Sequence, residues 1–432
     1  MITFIREIKK ESNVGRQFTI RGWVHRLRKQ KEKSFILIRD EKGDVVQTVF
    51  QSEQVSNITL ESSIQVTGIL SVDKRAPEGG YELQGKNIEI FNISENFPIG
   101  EFQSLDLLLT KRHLAIRTRK LISILKIKST ILKYARLFFD NLAWTEVQCP
   151  TIVKGSIEGG STLFPINYFD EKAYLSQSAQ LYLEAYIFSL GPVWTISPSF
   201  RAEKSRTVRH LAEFLHLEAE VPWTSMDDLL NIQENLVTFI INNLKKERTD
   251  EFVYLNRNIS DLNITPPFPR LEYSDVIDDL RKKDFKIEED GKKRYLHYGD
   301  DLNIESERML TQQYSTPIFV VGYPLSIKPF YVKSDIHDEN RSLSADMLAP
   351  HGFGEITSGG LREDDLAKLK ERIRKEGLDQ NTYDWYLDLR RYGSVIHGGF
   401  GLGIERFLRW LINSEDIKET VGFPRTMSRI SP

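Results

Sequence analysis

The chain has 432 residues, with 59 Lys and Arg against 61 Asp and Glu, for a formal net charge of −2. That length exceeds one ordinary small domain and points to two or three, while 40 % hydrophobic residues and a mixed-sign charged fraction of 28 % exclude an intrinsically disordered chain. No run approaches the roughly 18 apolar residues of a membrane span, and the single cysteine, Cys149, excludes an internal disulfide and any cysteine-cluster metal site. The opening MITFIREIKKES carries charge where a signal peptide has its apolar stretch, so a cytoplasmic location without a membrane partner is expected. Taken alone, the near-zero net charge argues against a nucleic-acid partner, but it averages over domains.

In chain order, the alternation predicts strands at Gln17–Val24, Ser34–Arg39, Val45–Phe50, Ser63–Leu70 and Tyr81–Phe91, with turn signals at Glu41–Asp44 and Ala76–Gly80. Five short strands suit a small closed barrel such as the OB-fold, or another small barrel or sandwich. Between Arg21 and Lys42 lie eight Lys and Arg (Arg21, Arg26, Arg28, Lys29, Lys31, Lys33, Arg39, Lys42) against three acids (Glu32, Asp40, Glu41), a local +5. This run surrounds the strand of Phe35, and cations beside a flat aromatic are what single-stranded nucleic acid requires. A solvated loop beside a core phenylalanine is the plainer reading of the same residues.

The pattern breaks from Asn92 to about Thr110. A near-3.6 apolar period then predicts a helix over Lys120–Leu142, followed by an extended segment to Pro150. Strands are predicted at Tyr174–Gln177, Val193–Phe200, His216–Pro222, Pro317–Val321, Pro329–Lys333, Ala345–Leu348 and Gly354–Gly359. Helices are predicted at Met226–Glu247, Glu272–Lys283 with Ser274 or Asp275 near the cap, Glu363–Glu376, and from Gly403 to about Asn413. Without a βαβ rhythm, an antiparallel α+β sheet fits better than a doubly wound one.

There is no GxxxxGK[ST], no HExxH and no nucleophile constellation. Instead, Phe200–His210 places Arg201, Lys204, Arg206, Arg209 and His210 on and after a predicted hairpin loop that could reach over a polyphosphate. Gly354–Arg362 carries Glu355 and Ser358, and with the upstream Asp346 these hard oxygen donors suit Mg²⁺. Simple alternation puts Glu355 with Thr357 on one face and Ile356 with Ser358 on the other. Gly399–Arg406 opens a helix one turn before Arg406, whose guanidinium could stack on a base.

Together, Arg201 with Glu203, Glu355 with Ser358, and Gly403 with Arg406 resemble motifs two and three of the class II aminoacyl-tRNA synthetases. The segment Val147–Pro150 resembles motif one, which implies a homodimer through that region. The likeness extends over essentially the whole chain, with the barrel similar to the anticodon-binding OB domain of the aspartyl/asparaginyl branch. It implies an OB-fold domain over 1–97, a hinge over 98–118 and a class II catalytic domain over 119–432, an antiparallel sheet flanked by helices. Phe35 and Gln47 fall where that branch contacts the anticodon.

Within the branch, Glu158–Phe164, Ser176–Glu184, Arg201–Phe214 and the ending Phe423–Thr426 resemble asparaginyl enzymes of the archaeal and eukaryotic cytosolic kind. Aspartyl enzymes carry a lysine where Leu183 stands, to pair with the substrate carboxylate. An amide needs no cation, and a carboxylate such as Glu184 can accept from its NH₂. The resemblance therefore implies L-asparagine, ATP and tRNA(Asn) as substrates, with Mg²⁺ as cofactor. The alternative within the branch is an aspartyl enzyme, possibly non-discriminating. A paralogue that makes asparagine would lack the barrel, and a non-catalytic tRNA-binding descendant would have lost the phosphate and metal residues.

By the same resemblance Arg201, Glu355 and Arg406 are catalytic, with Arg201 also touching the amino acid. The ATP site takes in Ala202, Glu203, Arg209, His210, Leu211 and Phe214, then Gly403, Ile404 and Glu405. Glu355 and Ser358 hold the metal. Glu158, Gln180, Leu183, Glu184, Ser358 and Arg362 lie toward the amino acid. Val208 stands where eukaryotic members carry a cation, which removes one possible phosphate contact.

Overall fold

Alternating apolar residues close the N-terminal strands into a barrel. In the computed structural model, which describes residues 2–100, 103–155, 162–204, 207–262, 264–289 and 291–432, these are β1 (Gln17–Lys29), β2 (Lys33–Arg39), β3 (Val45–Gln51), β4 (Ser63–Val72) and β5 (Tyr81–Asn92). They form a closed five-stranded OB-type barrel in the order β1-β2-β3-β5-β4. Inward-facing Ile20, Val24, Ile36, Ile38, Val46, Phe50, Ile64, Val66 and Leu83 make its core. The alternation predicts that β1 ends at Val24, yet it continues to Lys29. A register shift between Val24 and Arg26 interrupts the alternation, and a bulge of this kind bends a strand without ending it. β1 pairs with β4 over Gln17–Trp23 and with β2 from Trp23 to Lys29, so one strand serves two neighbours.

The chain divides into two compact units, one through Ile122 and one from Ser123 to Ser431. Helix α1 (Arg119–Asn141) leads into the second, where Phe139 stacks on Trp194 at 4.7 Å. After β6 (Thr145–Glu146), a small sheet is made of β7 (Ile152–Val153), β8 (Pro165–Tyr168) and β9 (Glu171–Leu175). Helix α2 (Gln180–Leu190) precedes the hairpin of β10 (Val193–Phe200) and β11 (Glu213–Pro222). Helix α3 (Met226–Glu247) starts at a capping box in which Ser225 and Asp228 satisfy each other's backbone N–H groups. It buries Leu229, Leu236, Val237, Ile240 and Leu244.

Next come β12 (Arg270–Glu272), α4 (Tyr273–Lys282), the hairpin β13 (Lys286–Glu289) and β14 (Lys292–Tyr295), and α5 (Ile304–Thr311). The last segment holds β15 (Ile318–Val321), β16 (Ser344–Ala349), β17 (Gly354–Leu361), α6 (Leu366–Lys375), α7 (Asp384–Arg391), β18 (His397–Gly403) and α8 (Ile404–Leu411). Eight strands form one sheet in the order β12-β15-β16-β17-β18-β11-β10-β6. It is antiparallel inside and parallel at its two edges, β12 with β15 and β10 with β6.

Three further expectations change. Pro329–Lys333 is not a strand: Phe330, Tyr331 and Val332 are buried in a side cluster, with only a single bridge from Val332 to Arg362. The predicted Glu363–Glu376 helix begins at Leu366, because the Asp365 side chain caps it by accepting from the Lys368 N–H at 2.9 Å. Helix α4 is entered from Glu272, not from Ser274 or Asp275.

Candidate functional site

On the barrel, Phe35 and Leu37 of β2 lie opposite Val49 and Gln47 of β3, alternating with the inward Ile36 and Ile38. Phe35 and Gln47 therefore share the outward face. Arg28 sits 6.0 Å from the Phe35 ring centre. The Gln47 Nε2 donates to Glu82 at 2.8 Å. Of the eight cations near Phe35, Arg39 is not on this surface. It is 5 % exposed and bonded through two nitrogens to Glu61 at 2.8 and 2.9 Å. Burial, then Arg39, pushes the His25 imidazole down to about 4, so it contributes no positive charge at neutral pH.

In the second unit a cavity of about 360 Å³ opens along β11, β17 and β18. The β10–β11 hairpin delivers Arg201, Glu203, Arg209, His210, Leu211 and Phe214 to its wall. β18 and α8 deliver Gly401, Gly403, Glu405 and Arg406 from the other side. The floor must be bare backbone here: a Cβ at Gly401 would run into the His216 ring, and one at Gly399 into Glu220. Arg406 pairs with Glu355 at 2.9 Å, and Arg201 lies 5.6 Å from the Phe214 ring centre. Burial pushes the Glu355 carboxyl up, but Arg406, Arg201, Arg209 and Lys328 outweigh it and hold the group below its ordinary value. Burial lowers His210, with Arg406, Arg209 and Arg201 adding to the effect and Glu203 opposing it.

The alternation of β17 fails at the residues that matter. Met347 of β16 pairs with Thr357, and the next residue, Leu348, pairs with Glu355, so Ile356 is an extra residue in the ladder. That bulge brings Glu355 and Ser358, three apart, to the cavity side together with Asp346, the partner of Ser358 across the strands. Thr357 faces the other way, where its hydroxyl bonds Gln233 of α3. The Asp346 Oδ2 accepts from Lys328 at 2.9 Å, while its buried Oδ1 has no hydrogen-bond partner. An orphaned carboxylate oxygen beside a second carboxylate and a hydroxyl is a hard-oxygen donor set that fits Mg²⁺.

At the other end, Ser178, Gln180, Leu183, Glu220 and Arg362 line the cavity. Arg362 donates to both oxygens of Glu220 at 3.0 Å each. Burial pushes the Glu220 carboxyl up, with Arg362 drawing it back. The Glu184 carboxylate, expected to touch the substrate, lies behind this wall. It is 0 % exposed and accepts from Tyr386 at 2.6 Å, Arg390 at 2.7 Å and Gln180 at 3.0 Å, with the His397 Nε2 at 3.0 Å. Against the burial penalty, Arg390 and His397 hold its carboxyl far below the usual range. Glu184, Glu220 and His397 place potential metal-ligating atoms within 4.8 Å of one another, yet Arg390 and Arg362 already supply the compensating charge, so the trio does not suit a cation.

The structure thus brings Arg201, Glu203, Arg209, His210, Leu211, Phe214, Glu355, Ser358, Arg362, Gly403, Glu405 and Arg406 to one cavity with Gln180 and Leu183. Ala202 and Ile404 do not line it. The Ala202 N–H bonds the Thr162 carbonyl at 2.7 Å, and Ile404 is fully buried. Glu158 lies outside the described residues, as does Arg206 of the basic loop. Glu405 is held by Lys128 at 2.5 Å and the Leu215 N–H at 3.0 Å. Sequence reasoning missed Glu218, Glu220, Asp301 and Lys328, which also line the cavity. Glu218 and Glu220 sit two apart in an apolar strand, where a charge needs a buried partner. That was the available signal.

Residues 104–427 match the family described as tRNA synthetases class II (D, K and N), and residues 18–91 match the OB-fold nucleic acid binding domain family. The asparagine–tRNA ligase of Thermococcus gammatolerans is 44 % identical over 99 % of both chains. Among solved structures, an asparaginyl-tRNA synthetase from Pyrococcus horikoshii complexed with asparaginyl-adenylate is similar at a TM-score of 0.93 and 44 % identity, over 100 % of this chain and 99 % of that one. One from Entamoeba histolytica, also with asparaginyl-adenylate, is similar at a TM-score of 0.90 and 34 % identity, over 100 % of both chains.

Proposed function

This chain belongs to the class II tRNA synthetases (D, K and N), and on that premise we propose that it activates L-asparagine with ATP and transfers the asparaginyl group to the 3′ end of tRNA(Asn). The observation that carries the choice of amino acid is the Glu220–Arg362 pair in a pocket whose neighbouring wall is Leu183. A side-chain amide satisfies such a pair, with its oxygen accepting from the guanidinium and its NH₂ donating to the carboxylate. An aspartate side chain would set a second carboxylate against Glu220.

In the first step an oxygen of the asparagine α-carboxylate attacks the α-phosphorus of ATP, and pyrophosphate leaves. In the second, the terminal ribose hydroxyl of the tRNA attacks the adenylate carbonyl and AMP leaves. Neither step uses a side-chain nucleophile, so catalysis rests on positioning and charge stabilisation. Arg201 meets the charge on the α-phosphate, with Arg209 and His210 toward the polyphosphate. Phe214 and Arg406 face the two sides of the adenine, with Glu203, Leu211, Gly403 and Glu405 around it. Gln180 takes the amino-acid end. Asp346, Glu355 and Ser358 would hold Mg²⁺, which would supply positive charge to offset that of the phosphates.

Residues 1–97 read the anticodon through Phe35 and Gln47, 98–118 form the hinge and 119–432 carry the chemistry. A homodimer through α1 and Val147–Pro150 is supported by Leu137, Leu142 and Ile152, apolar side chains 39–45 % exposed around that segment. Among the described residues no helix is long and apolar enough to cross a membrane, in keeping with a cytoplasmic enzyme. ATP–pyrophosphate exchange with asparagine and with aspartate separately, without tRNA, tests the assignment. Exchange with asparagine is expected; exchange with aspartate alone, or with neither, overturns it.

A further inference from the structure

The segment between Tyr254 and Arg308 has no motif to read in the sequence, yet helix α5 places Glu307 between two functional groups from separate elements. The Asn303 side chain starts this helix by accepting from the Glu305 and Ser306 N–H groups at 3.1 and 2.9 Å. Glu307 is 8 % exposed. Its Oε2 lies 2.8 Å from the Arg209 Nη2 and accepts from the backbone N–H of Glu355 at 3.1 Å. One carboxylate oxygen therefore ties the cation of the basic loop to the start of the strand that carries the metal-site carboxylate. One turn on, Thr311 secures the same strand entry. Its carbonyl accepts from the His351 N–H at 3.0 Å, and its hydroxyl accepts from the Gly352 N–H at 3.1 Å.

The packing there admits nothing more. Gly354 has a φ of +74°, and a Cβ on it would strike both the Glu307 carboxylate and the Arg209 guanidinium. Arg209 is 5 % exposed and lines the cavity, and its buried Nη1 has no hydrogen-bond partner. With Nη2 fixed by Glu307, Nη1 is a donor held ready for an anion.

We propose that Glu307 is a positioning residue: it aims Arg209 at the ATP phosphates and fixes the backbone of Glu355, so that phosphate binding and metal binding are set by one carboxylate outside the recognisable motifs. The proposal rests on the assignment of the cavity to ATP and asparagine. Glu307→Gln keeps the volume and an oxygen for the Glu355 N–H but removes the anion that orients Arg209.

The test is ATP–pyrophosphate exchange by the full chain, with KM measured for ATP, Mg²⁺ and asparagine, and with the melting temperature as a check on folding. In E307Q, KM for ATP should rise about tenfold, the cost of one misaligned charge-assisted bond, while the Mg²⁺ needed for half-maximal rate should stay within about twofold, because the Glu355 N–H still meets an oxygen. KM for asparagine should stay within about twofold. On an Arg209→Ala background E307Q should change KM for ATP less than about twofold, because its effect passes through Arg209. A folded E307Q with unchanged KM for ATP, an equal rise in both substrates' KM, or full additivity with Arg209→Ala overturns the proposal.

ATP–Mg²⁺ binding, read as thermal stabilisation without amino acid, separates the two readings. If the unsubstituted chain exchanges with neither amino acid, yet binds ATP–Mg²⁺ in a way that E307Q weakens only when Arg209 is present, the assigned reaction falls and the role of Glu307 stands. If exchange is normal and E307Q leaves nucleotide binding untouched, only the role of Glu307 falls.

Discussion

Glu220→Gln is the sharpest probe of amino-acid choice. Glu220 is 1 % exposed and bound to Arg362 by two bonds of 3.0 Å. Glutamine keeps the shape but replaces one acceptor oxygen with an NH₂ group. That group must then face either Arg362 or the NH₂ of the asparagine side chain, donor against donor in both cases. One charge-assisted bond is lost, about 1.5–3 kcal/mol, which corresponds to a fall of roughly 10- to 150-fold in kcat/KM for asparagine. Aspartate moves the other way, because its carboxylate accepts from both Arg362 and the new NH₂ and no longer meets Glu220. The asparagine-to-aspartate ratio should therefore drop by more than asparagine's own loss. The assay is ATP–pyrophosphate exchange with both amino acids on one preparation, at a temperature well below its melting point. A folded E220Q whose ratio stays within about twofold of the unsubstituted chain would refute the reasoning.

Arg201→Ala should abolish adenylate formation while leaving the association state measured by sedimentation unchanged; near-normal exchange would remove Arg201 from the mechanism. Phe35→Ala should lower kcat/KM for tRNA charging by roughly 5- to 150-fold, the worth of one base stacked on an aromatic at about 1–3 kcal/mol, and leave tRNA-independent exchange alone. An equal loss in both assays would mean that Phe35 is only structural. Glu184→Gln leaves Arg390 and His397 without their anion and should cost about 3–5 kcal/mol of stability in urea unfolding. The folded pKa of Glu184 lies below its unfolded one. Its contribution is thus complete above the ordinary carboxyl value of about 4.3 and is lost progressively as pH falls beneath that. A stability gap between the two proteins that is unchanged down to about pH 2 would contradict the assignment.

The parts of this architecture legible in the sequence are those where local pattern and tertiary demand agree. The barrel strands alternate because one face meets a core, and α1 and α3 keep a 3.6 period because one stripe is buried. What escaped was set by irregularities or by long-range partners. His25 and Ile356 are extra residues at bulges, and each inverts the facing that alternation predicts downstream. Glu184 reads as a substrate contact until Arg390 and His397, more than two hundred residues away in the chain, are seen to enclose it. Glu307 has no neighbours in sequence that mark it, since both its partners come from other elements. Pro329–Lys333 has the composition of a strand but is buried by side chains instead of by a ladder.

The burial of Arg39 bears on how the barrel responds to ionic strength. Of the eight cations around Phe35, seven remain exposed once Arg39 is withdrawn to Glu61 (8 − 1 = 7). Only cations that meet phosphates displace condensed counterions, and each contributes about 0.7 to the slope of log affinity against log salt on a single strand. This face can therefore add at most about 5 to that slope. Neutralising Arg26 or Arg28 should flatten the salt dependence step by step, whereas neutralising Arg39 should leave it unchanged and weaken the fold, so a titration with salt separates exposed arginines that meet phosphate from the buried one that holds the barrel.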